Sequence, residues 1–299
     1  METRSASSKS RPIFVLGVDR SGTSLLSELA YNWGAYPGDF DLLAKGNEGN
    51  PQGYWEYEPM EELVNKLFDS TKVSHWDPSF TEKLREKGSD PELRGQALDL
   101  IASMEKGPAW FWKEPYLSIC MPFWEQMLTD PIYIIPVRNP YESALSYEKF
   151  ILPPNLRGGV RLLSLFFLRW QYFMLCILEA SEKSSSVLFV PYDKLLRSPL
   201  EQCERICRFL DAECGIAEFD REKLRKMADC VNPQLYRNRS TEFAEVAQAT
   251  PEQKALFEFL LRKVDDPREP YDSSRYPMGG WWREYMENFD LMLGLLNVV

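Results

Sequence analysis

Four short apolar runs, each followed by a segment with helical spacing, constrain the fold of this chain most. They are residues 12 to 17 (PIFVLG), Ala109–Trp112, Ile132–Val137 and Val187–Val190. Continuous apolar runs of this length are typical of strands that are buried on both faces of a parallel sheet. Their alternation with helices predicts a three-layer α/β fold, in which helices flank a central, mostly parallel sheet. Because such sheets bind ligands beyond the carboxyl ends of their strands, we expect the functional residues just after each run.

Charge and composition exclude several classes of protein. The chain has 35 Lys and Arg against 45 Asp and Glu, a formal charge of −10, which argues against binding to nucleic acid or to an anionic membrane. The most apolar stretch, residues 162 to 178, is interrupted by Arg169 and Gln171, so we interpret it as a core helix. Six cysteines without a C-x-x-C pair, and one histidine, provide no zinc-type spacing and favour a cytoplasmic protein with reduced thiols.

The first apolar run leads into a loop of the size that holds a phosphate. Residues 17 to 24 (GVDRSGTS) have the G-x-x-x-x-G frame, and apolar positions at helical spacing follow them. A nucleoside triphosphatase would have Gly-Lys-Ser/Thr where this chain has Gly22, Thr23 and Ser24, so the lysine for the terminal phosphates is missing. Arg20 places a cation inside this P-loop-like turn instead. A turn without a ligand remains the alternative for this segment alone.

A second basic motif follows the third run. In residues 137 to 146 (VRNPYESALS), Arg138 lies at a strand end and Ser146 lies on the next helix, where both side chains can reach one phosphate. Taken alone, this pattern also fits a surface ion pair and an ordinary helical serine.

Together, the basic loop and the R-N-P-x-x-x-A-x-S motif resemble the sulfotransferase family, and the likeness covers residues 11 to 215. The resemblance implies 3′-phosphoadenosine 5′-phosphosulfate as donor, adenosine 3′,5′-bisphosphate as product, and no required metal. It places the 5′-phosphosulfate at the first loop and the 3′-phosphate at Arg138 and Ser146. The segment from Val190 to Pro199 resembles a family segment whose tyrosine, here Tyr192, lies near the nucleotide. The first-loop residues concerned are Arg20, Ser21, Gly22, Thr23 and Ser24.

The resemblance also implies catalytic residues. Lys113 follows the second run, where family members carry a lysine that stabilises charge on the leaving phosphate. Those members have a histidine base two positions later, but this chain has Pro115. Residues 50 to 56 (NPQGYWE) resemble a segment of bacterial sulfotransferases that holds an acidic base, so Glu56 is the first candidate. We expect Trp55 and Tyr57 to shield Glu56 from water and so raise its pKa.

His75 is the second candidate base, because an ordinary imidazole titrates near neutral pH. Arg237 and Arg239 are expected to close over the 3′-phosphate from the other side. Each of these residues also has a structural alternative, since lone histidines and solvated charges are usually not functional.

The resemblance implies a single sulfotransferase-like domain over residues 12 to 299, after a disordered tail at residues 1 to 11. Residues 46 to 108 are predicted to form a helical and loop insertion on the acceptor side. Seven acids lie in residues 38 to 62 against one base, Lys45, and favour a cationic acceptor.

The acceptor is therefore expected to be a small molecule that offers a hydroxyl or an amine, such as a guanidinium alkaloid or an aminoglycoside-like amine of secondary metabolism. A carbohydrate or polyketide hydroxyl stays open, as does an acidic loop that serves only solubility. Glu48, Trp55, Tyr57 and His75 are the predicted acceptor contacts, the aromatic ones through cation–π interactions. We expect a cytoplasmic monomer or homodimer.

Two other functions remain open at this stage. A P-loop kinase of a small metabolite would depend on ATP and Mg²⁺, and the missing loop lysine counts against it. A catalytically inactive nucleotide-binding or scaffold protein would keep the fold without turnover, and Pro115 in place of the familiar histidine keeps this alternative open.

Overall fold

A computed structural model gives the structure of the protein for residues 10–46, 53–77, 79–151, 154, 157, 160–235, 242–278 and 282–295. Within these residues, four strands form one parallel sheet in the order β2-β1-β3-β4. The strands are β1 (Arg11–Val15), β2 (Ala109–Trp112), β3 (Ile132–Val137) and β4 (Val187–Pro191). The sequence-based prediction of a central parallel sheet flanked by helices is confirmed.

The strand bounds follow the apolar runs closely, because each run is buried on both faces of the sheet. In the register of the two central strands, Ile13 of β1 lies opposite Ile132 of β3. One boundary of the prediction is wrong, since Arg11 belongs to β1 rather than to a disordered tail. The Arg11 guanidinium donates hydrogen bonds to the carbonyl oxygens of Asp130 and Glu213, and these bonds fix the start of the strand.

Helices connect the strands and cover both faces of the sheet. They are α1 (Thr23–Trp33), α2 (Glu58–Thr71), α3 (Phe80–Lys87), α4 (Pro91–Met104), α5 (Leu117–Trp124), α6 (Pro140–Ile151), α7 (Val160–Ser181), α8 (Tyr192–Arg197), α9 (Pro199–Glu213), α10 (Arg221–Asp229), α11 (Pro251–Asp265) and α12 (Trp282–Leu295). Three of them, α2 to α4, occupy the segment that was expected to be a helical and loop insertion.

Alternating side chains of each strand point into two separate cores. On one face, Ile13 and Val15 of β1 pack in a smaller core with α1, α8, α9 and α10. On the other face, Phe14 packs in a larger core that is rich in aromatic residues, edge to face with Trp110 and Trp112 of β2. Each such fully buried ring stabilises the fold by about 1.5–3 kcal/mol.

Helix α7 is unusually apolar, and it packs in the larger core. Residues Leu162–Ser181 are long and apolar enough to cross a membrane, but 56% of the most apolar window is buried inside the protein. Its two polar interruptions have partners: Gln171 donates to the carbonyl of Tyr276 at 3.3 Å and accepts from Gln253 at 3.2 Å, and Arg169 pairs with Asp19. These contacts are what a core helix with buried polar groups requires.

Candidate functional site

The loop between β1 and α1 has the backbone of an anion site. Gly22 precedes α1 with φ of 108°, and no side chain caps the first turn of the helix, which contains no acidic residue. The first N–H groups of a helix have no intrahelical partner, and the helix dipole adds positive potential there. The Ser21 hydroxyl donates to the carbonyl of Val18 at 2.6 Å and tightens the turn. Thr23 and Ser24 form the start of α1, as the phosphate-loop motif predicts.

Arg20 joins this loop to the second basic motif. Its backbone has φ of 64°, which is uncommon for a residue with a side chain. The Arg20 guanidinium donates to the hydroxyl of Ser146 on α6 at 3.2 Å, and the Arg138 guanidinium donates to the Arg20 carbonyl at 2.7 Å. Burial lowers the pKa of Arg20, and the neighbouring Arg138 lowers it further. The two motifs found in the sequence therefore meet at one place.

Arg138 is held from several sides at the carboxyl end of β3. Its guanidinium lies 4.6 Å from the ring centroid of Tyr192, and it forms an ion pair with Glu142 at 3.7 Å. The Nε atom of Arg138 is buried and has no hydrogen-bond acceptor among the described residues. The Tyr192 ring in turn covers Gly22, where a Cβ atom would lie 2.4 Å from a ring carbon. Glycine is thus required where the loop passes under this tyrosine.

Lys113 and Glu56 form an ion pair at the carboxyl end of β2. Only 6% of the lysine side chain and 19% of the glutamate side chain are exposed to solvent. The Lys113 ammonium also lies 5.9 Å from the ring of Tyr54, and that ring lies 6.4 Å from Phe150. The predicted stabilising cation and the first candidate base are therefore direct partners.

An ion pair that the sequence analysis did not predict joins the phosphate loop to helix α7. Arg169 of α7 donates two hydrogen bonds to the Asp19 carboxylate, at 2.7 and 3.2 Å. Its guanidinium lies over the rings of Phe173 and Tyr116, at 4.6 and 5.2 Å. A charged residue inside an apolar helix needs a buried partner, so Arg169 itself was the signal that could have identified this pair.

Glu114 was also missed, because it follows Lys113 without belonging to any motif. Its side chain is buried, and its Oε2 atom has no hydrogen-bond partner among the described residues. Burial raises the pKa of Glu114 to about 8, and the Glu56 carboxylate contributes to the increase. Glu114 is thus a buried carboxyl group beside the Lys113–Glu56 pair.

His75 does not titrate near neutrality as the sequence suggested. Burial, together with the positive charge of Arg169, lowers its pKa to about 3. The ring packs among Trp76, Tyr116 and Phe68, at centroid distances of 4.3 to 5.4 Å. These contacts make His75 part of an aromatic cluster and a very weak base.

The two aromatic residues beside Glu56 point away from it into separate cores. Tyr57 is 6% exposed and packs in the larger core, whereas Trp55 packs against Tyr31 and Phe111 on the smaller-core side. Trp55 and Tyr57 thus pack on opposite faces of the sheet, and their contact with an acceptor stays a prediction. Tyr54 is the aromatic residue of this segment that lies beside Lys113.

Three predicted residues, Glu48, Arg237 and Arg239, lie outside the described residues. Within the part of the chain that the structure covers, no group of three or more His, Cys, Asp or Glu residues is arranged to hold a metal ion.

Comparison with solved structures finds bacterial sulfotransferases. Sulfotransferase STF9 from Mycobacterium avium is 17% identical with a TM-score of 0.46, and the alignment covers 88% of this chain and 77% of that one. The sulfotransferase domain of the Synechococcus PCC 7002 olefin synthase is also 17% identical with a TM-score of 0.44, covering 91% and 99%. A search of curated protein sequences finds no significant match.

The family comparison covers the strands and loops that build the site. Residues 12–215 match the profile of the Sulfotransferase family, and this range contains the phosphate loop, Lys113 and the Arg138 motif. This chain, with its basic phosphate loop joined to a second arginine motif on a parallel sheet, belongs to the sulfotransferase family.

Proposed function

We propose that this protein transfers a sulfuryl group from 3′-phosphoadenosine 5′-phosphosulfate to a hydroxyl or amine of a small molecule. The observation that carries the proposal is the meeting of the two basic motifs, with Arg20 bound to Ser146 and Arg138 bound to the Arg20 carbonyl. Two arginines and an uncapped helix N-terminus converge there, as a nucleotide with two anionic ends requires.

Different residues would bind the two anionic ends of the donor. The loop N–H groups and Lys113 would bind the 5′-phosphosulfate, and Arg138 and Ser146 would bind the 3′-phosphate. The buried Nε of Arg138 offers a donor without an acceptor, and a phosphate oxygen would satisfy it. Arg20 belongs to the first loop and contacts Ser146 of the second motif, so its guanidinium would exchange the Ser146 hydroxyl for an oxygen of the sulfuryl donor.

The reaction is an in-line displacement at sulfur. The acceptor oxygen or nitrogen forms a bond to sulfur while the bond from sulfur to the bridging phosphate oxygen breaks, and adenosine 3′,5′-bisphosphate leaves with that electron pair. Glu56 takes the acceptor proton, and Lys113 stabilises the negative charge on the leaving oxygen. Because these two residues pair in the free protein, the donor must draw Lys113 away and so release Glu56 as the base.

For the acceptor, we propose a small molecule with a cationic group, of the kind found in guanidinium or amine natural products. Acidic side chains gather around Glu56 at the start of α2, and the pKa of Glu61 is raised by burial and by Glu56, Glu58 and Glu62. This local negative potential supports the proposal. Asp39 contributes less, because the Lys106 ammonium lies 3.8 Å from its carboxylate.

We further propose a cytoplasmic protein that acts without nucleic acid or membrane partners, as a monomer or homodimer. All six cysteines are free thiols, which a reducing compartment maintains. The net charge of −10 supports the absence of polyanionic partners.

The test is a transfer assay with ³⁵S-labelled donor and a panel of cationic, sugar and polyketide alcohols and amines. We expect label in a cationic acceptor, and Glu56→Gln as control should bind donor and transfer about 10²-fold more slowly. Donor binding with no transfer to any panel member would favour an inactive nucleotide-binding protein. Activity only with ATP and Mg²⁺ would favour a kinase.

A further inference from the structure

Glu114 is a buried acid beside the Lys113–Glu56 pair of the proposed donor site, and only part of its carboxyl group has a hydrogen-bond partner. Its carboxyl group accepts one hydrogen bond, from the backbone N–H of Tyr116, and its Oε2 atom has none among the described residues. It directly follows Lys113, whose ammonium is committed to Glu56. An ionised carboxylate in such a place would lack the hydrogen bonds and counter-charge that buried charges need.

The neighbouring charges already cancel in pairs. The charged and titratable groups around Glu114 are Lys113 on its own segment, Glu56 before α2, Asp19 in the phosphate loop with its partner Arg169 of α7, and Cys120 of α5. Lys113 balances Glu56, and Arg169 balances Asp19. Burial raises the pKa of the Cys120 thiol, which keeps it neutral. Ionisation of Glu114 would therefore add one uncompensated negative charge.

We propose that Glu114 is a positioning residue that must stay protonated to leave Lys113 available for the anionic donor, so that donor binding takes up a proton at alkaline pH. This inference rests on the proposed function, because it assigns the donor to Lys113. Neutral Glu114 lets the incoming phosphosulfate compete with one carboxylate, that of Glu56, for the ammonium. Ionised Glu114 would offer Lys113 a second carboxylate and repel the donor through the low-dielectric interior.

The direction of the pH effect follows from linkage. Burial raises the pKa of Glu114 to about 8, and a bound anion raises it further because it disfavours the charged carboxylate. Between these two values, the complex holds a proton that the free protein has lost. Affinity for the donor nucleotide is then complete below pH 8 and falls as pH rises above it.

The probe is adenosine 3′,5′-bisphosphate, titrated calorimetrically into wild-type protein and Glu114→Gln at pH 7 to 10. Each pH is repeated in two buffers of different ionisation enthalpy, so that bound protons are counted directly. Glutamine keeps the shape and stays neutral, and every other titratable group of the site is retained. Glu28→Gln is the matched control, because burial also raises the pKa of Glu28, to about 7, and Glu28 lies beside the Cys230 thiol rather than beside Lys113.

We expect wild type and Glu28→Gln to take up a fraction of one proton near pH 9, and their Kd to rise at least about tenfold from pH 7 to 10, the effect of a one-unit pKa shift. Glu114→Gln should show less proton uptake and a flatter profile. Equal proton uptake in wild type and Glu114→Gln would overturn the inference, as would binding to wild type without proton uptake. Failure of wild type to bind the bisphosphate at pH 7 would instead overturn the proposed function, and the inference with it.

Discussion

Lys113 at the carboxyl end of β2 pairs with Glu56, which lies 57 positions earlier in the chain. The two side chains expected to stabilise the leaving group and to accept the proton thus neutralise each other in the free protein. Binding of an anionic donor would compete for the lysine and free the carboxylate only when the substrate is present. This pairing links the donor site to the acceptor site.

Glu56→Gln tests the role of that carboxylate. The substitution removes the proton acceptor and keeps the shape, so we expect kcat to fall by about 10²-fold or more. Affinity for adenosine 3′,5′-bisphosphate should be unchanged or slightly higher, because Lys113 loses a competing carboxylate. Glu58→Gln, two positions on at the start of α2, is the control: it should keep kcat, with any loss confined to a higher KM for a cationic acceptor. Unchanged kcat in Glu56→Gln would remove Glu56 from the mechanism.

Gly22→Ala tests the packing of the phosphate loop under Tyr192. The new methyl group would lie 2.4 Å from the Tyr192 ring, and the φ of 108° also disfavours it. We expect bisphosphate affinity to fall at least about tenfold, with loss of stability of about 1 kcal/mol or more.

Gly34→Ala is the matched control for this prediction. Gly34 has φ of 118° but open space around its Cβ position, so it shares the backbone strain without the clash. Chemical denaturation should show reduced stability, with bisphosphate affinity unaltered. Equal affinities in both alanine variants would contradict the assigned role of Gly22.

Arg169→Met should destabilise the protein by about 3 kcal/mol, because it leaves the Asp19 carboxylate without its buried partner. The double variant Asp19→Asn/Arg169→Met should recover much of that loss, since neither charge then remains. Urea denaturation of both variants measures the coupling between the two residues. A single variant as stable as wild type would show that the pair does not support the loop.

The state of His75 can be followed directly by NMR, because it is the one histidine of the chain. Since burial lowers its pKa to about 3, its imidazole signals should not shift between pH 5 and 8. The unfolded chain takes up this proton near pH 6.5, so the stability that depends on neutral His75 is lost as pH falls from 6.5 toward 3. A titration midpoint near 6.5 would contradict the buried position.

The sheet could be predicted from the sequence because a strand that is buried on both faces is a continuous apolar run, and such a run is visible without knowledge of the fold. The loop around Arg20 and the motif around Arg138 were also predictable, because the functional residues of each motif lie within one short segment of the chain. The contact between the two motifs depends on β1 and β3 being neighbours in the sheet, and neither segment alone predicts the strand order.

Other parts of the site depend on the direction of side chains, which local patterns did not reveal. Tyr54, Trp55 and Tyr57 are nearly adjacent, yet one lies beside Lys113 and the other two enter opposite cores. The burial of His75 likewise depends on Phe68 and Phe80 of the flanking helices folding over it and on Tyr116, far later in the chain. The sequence shows an acid at Glu114, but the burial of its Oε2 atom without a hydrogen-bond partner arises only from packing.

Calorimetric titration with adenosine 3′,5′-bisphosphate in metal-free buffer, compared with ADP and Mg²⁺, decides whether the two arginine motifs bind a sulfuryl donor. We expect tight binding of the bisphosphate to wild type, a loss of at least about tenfold in Arg138→Ala, and weak binding of ADP with Mg²⁺. Preference for ADP with Mg²⁺, or bisphosphate binding that does not need Arg138, would contradict it.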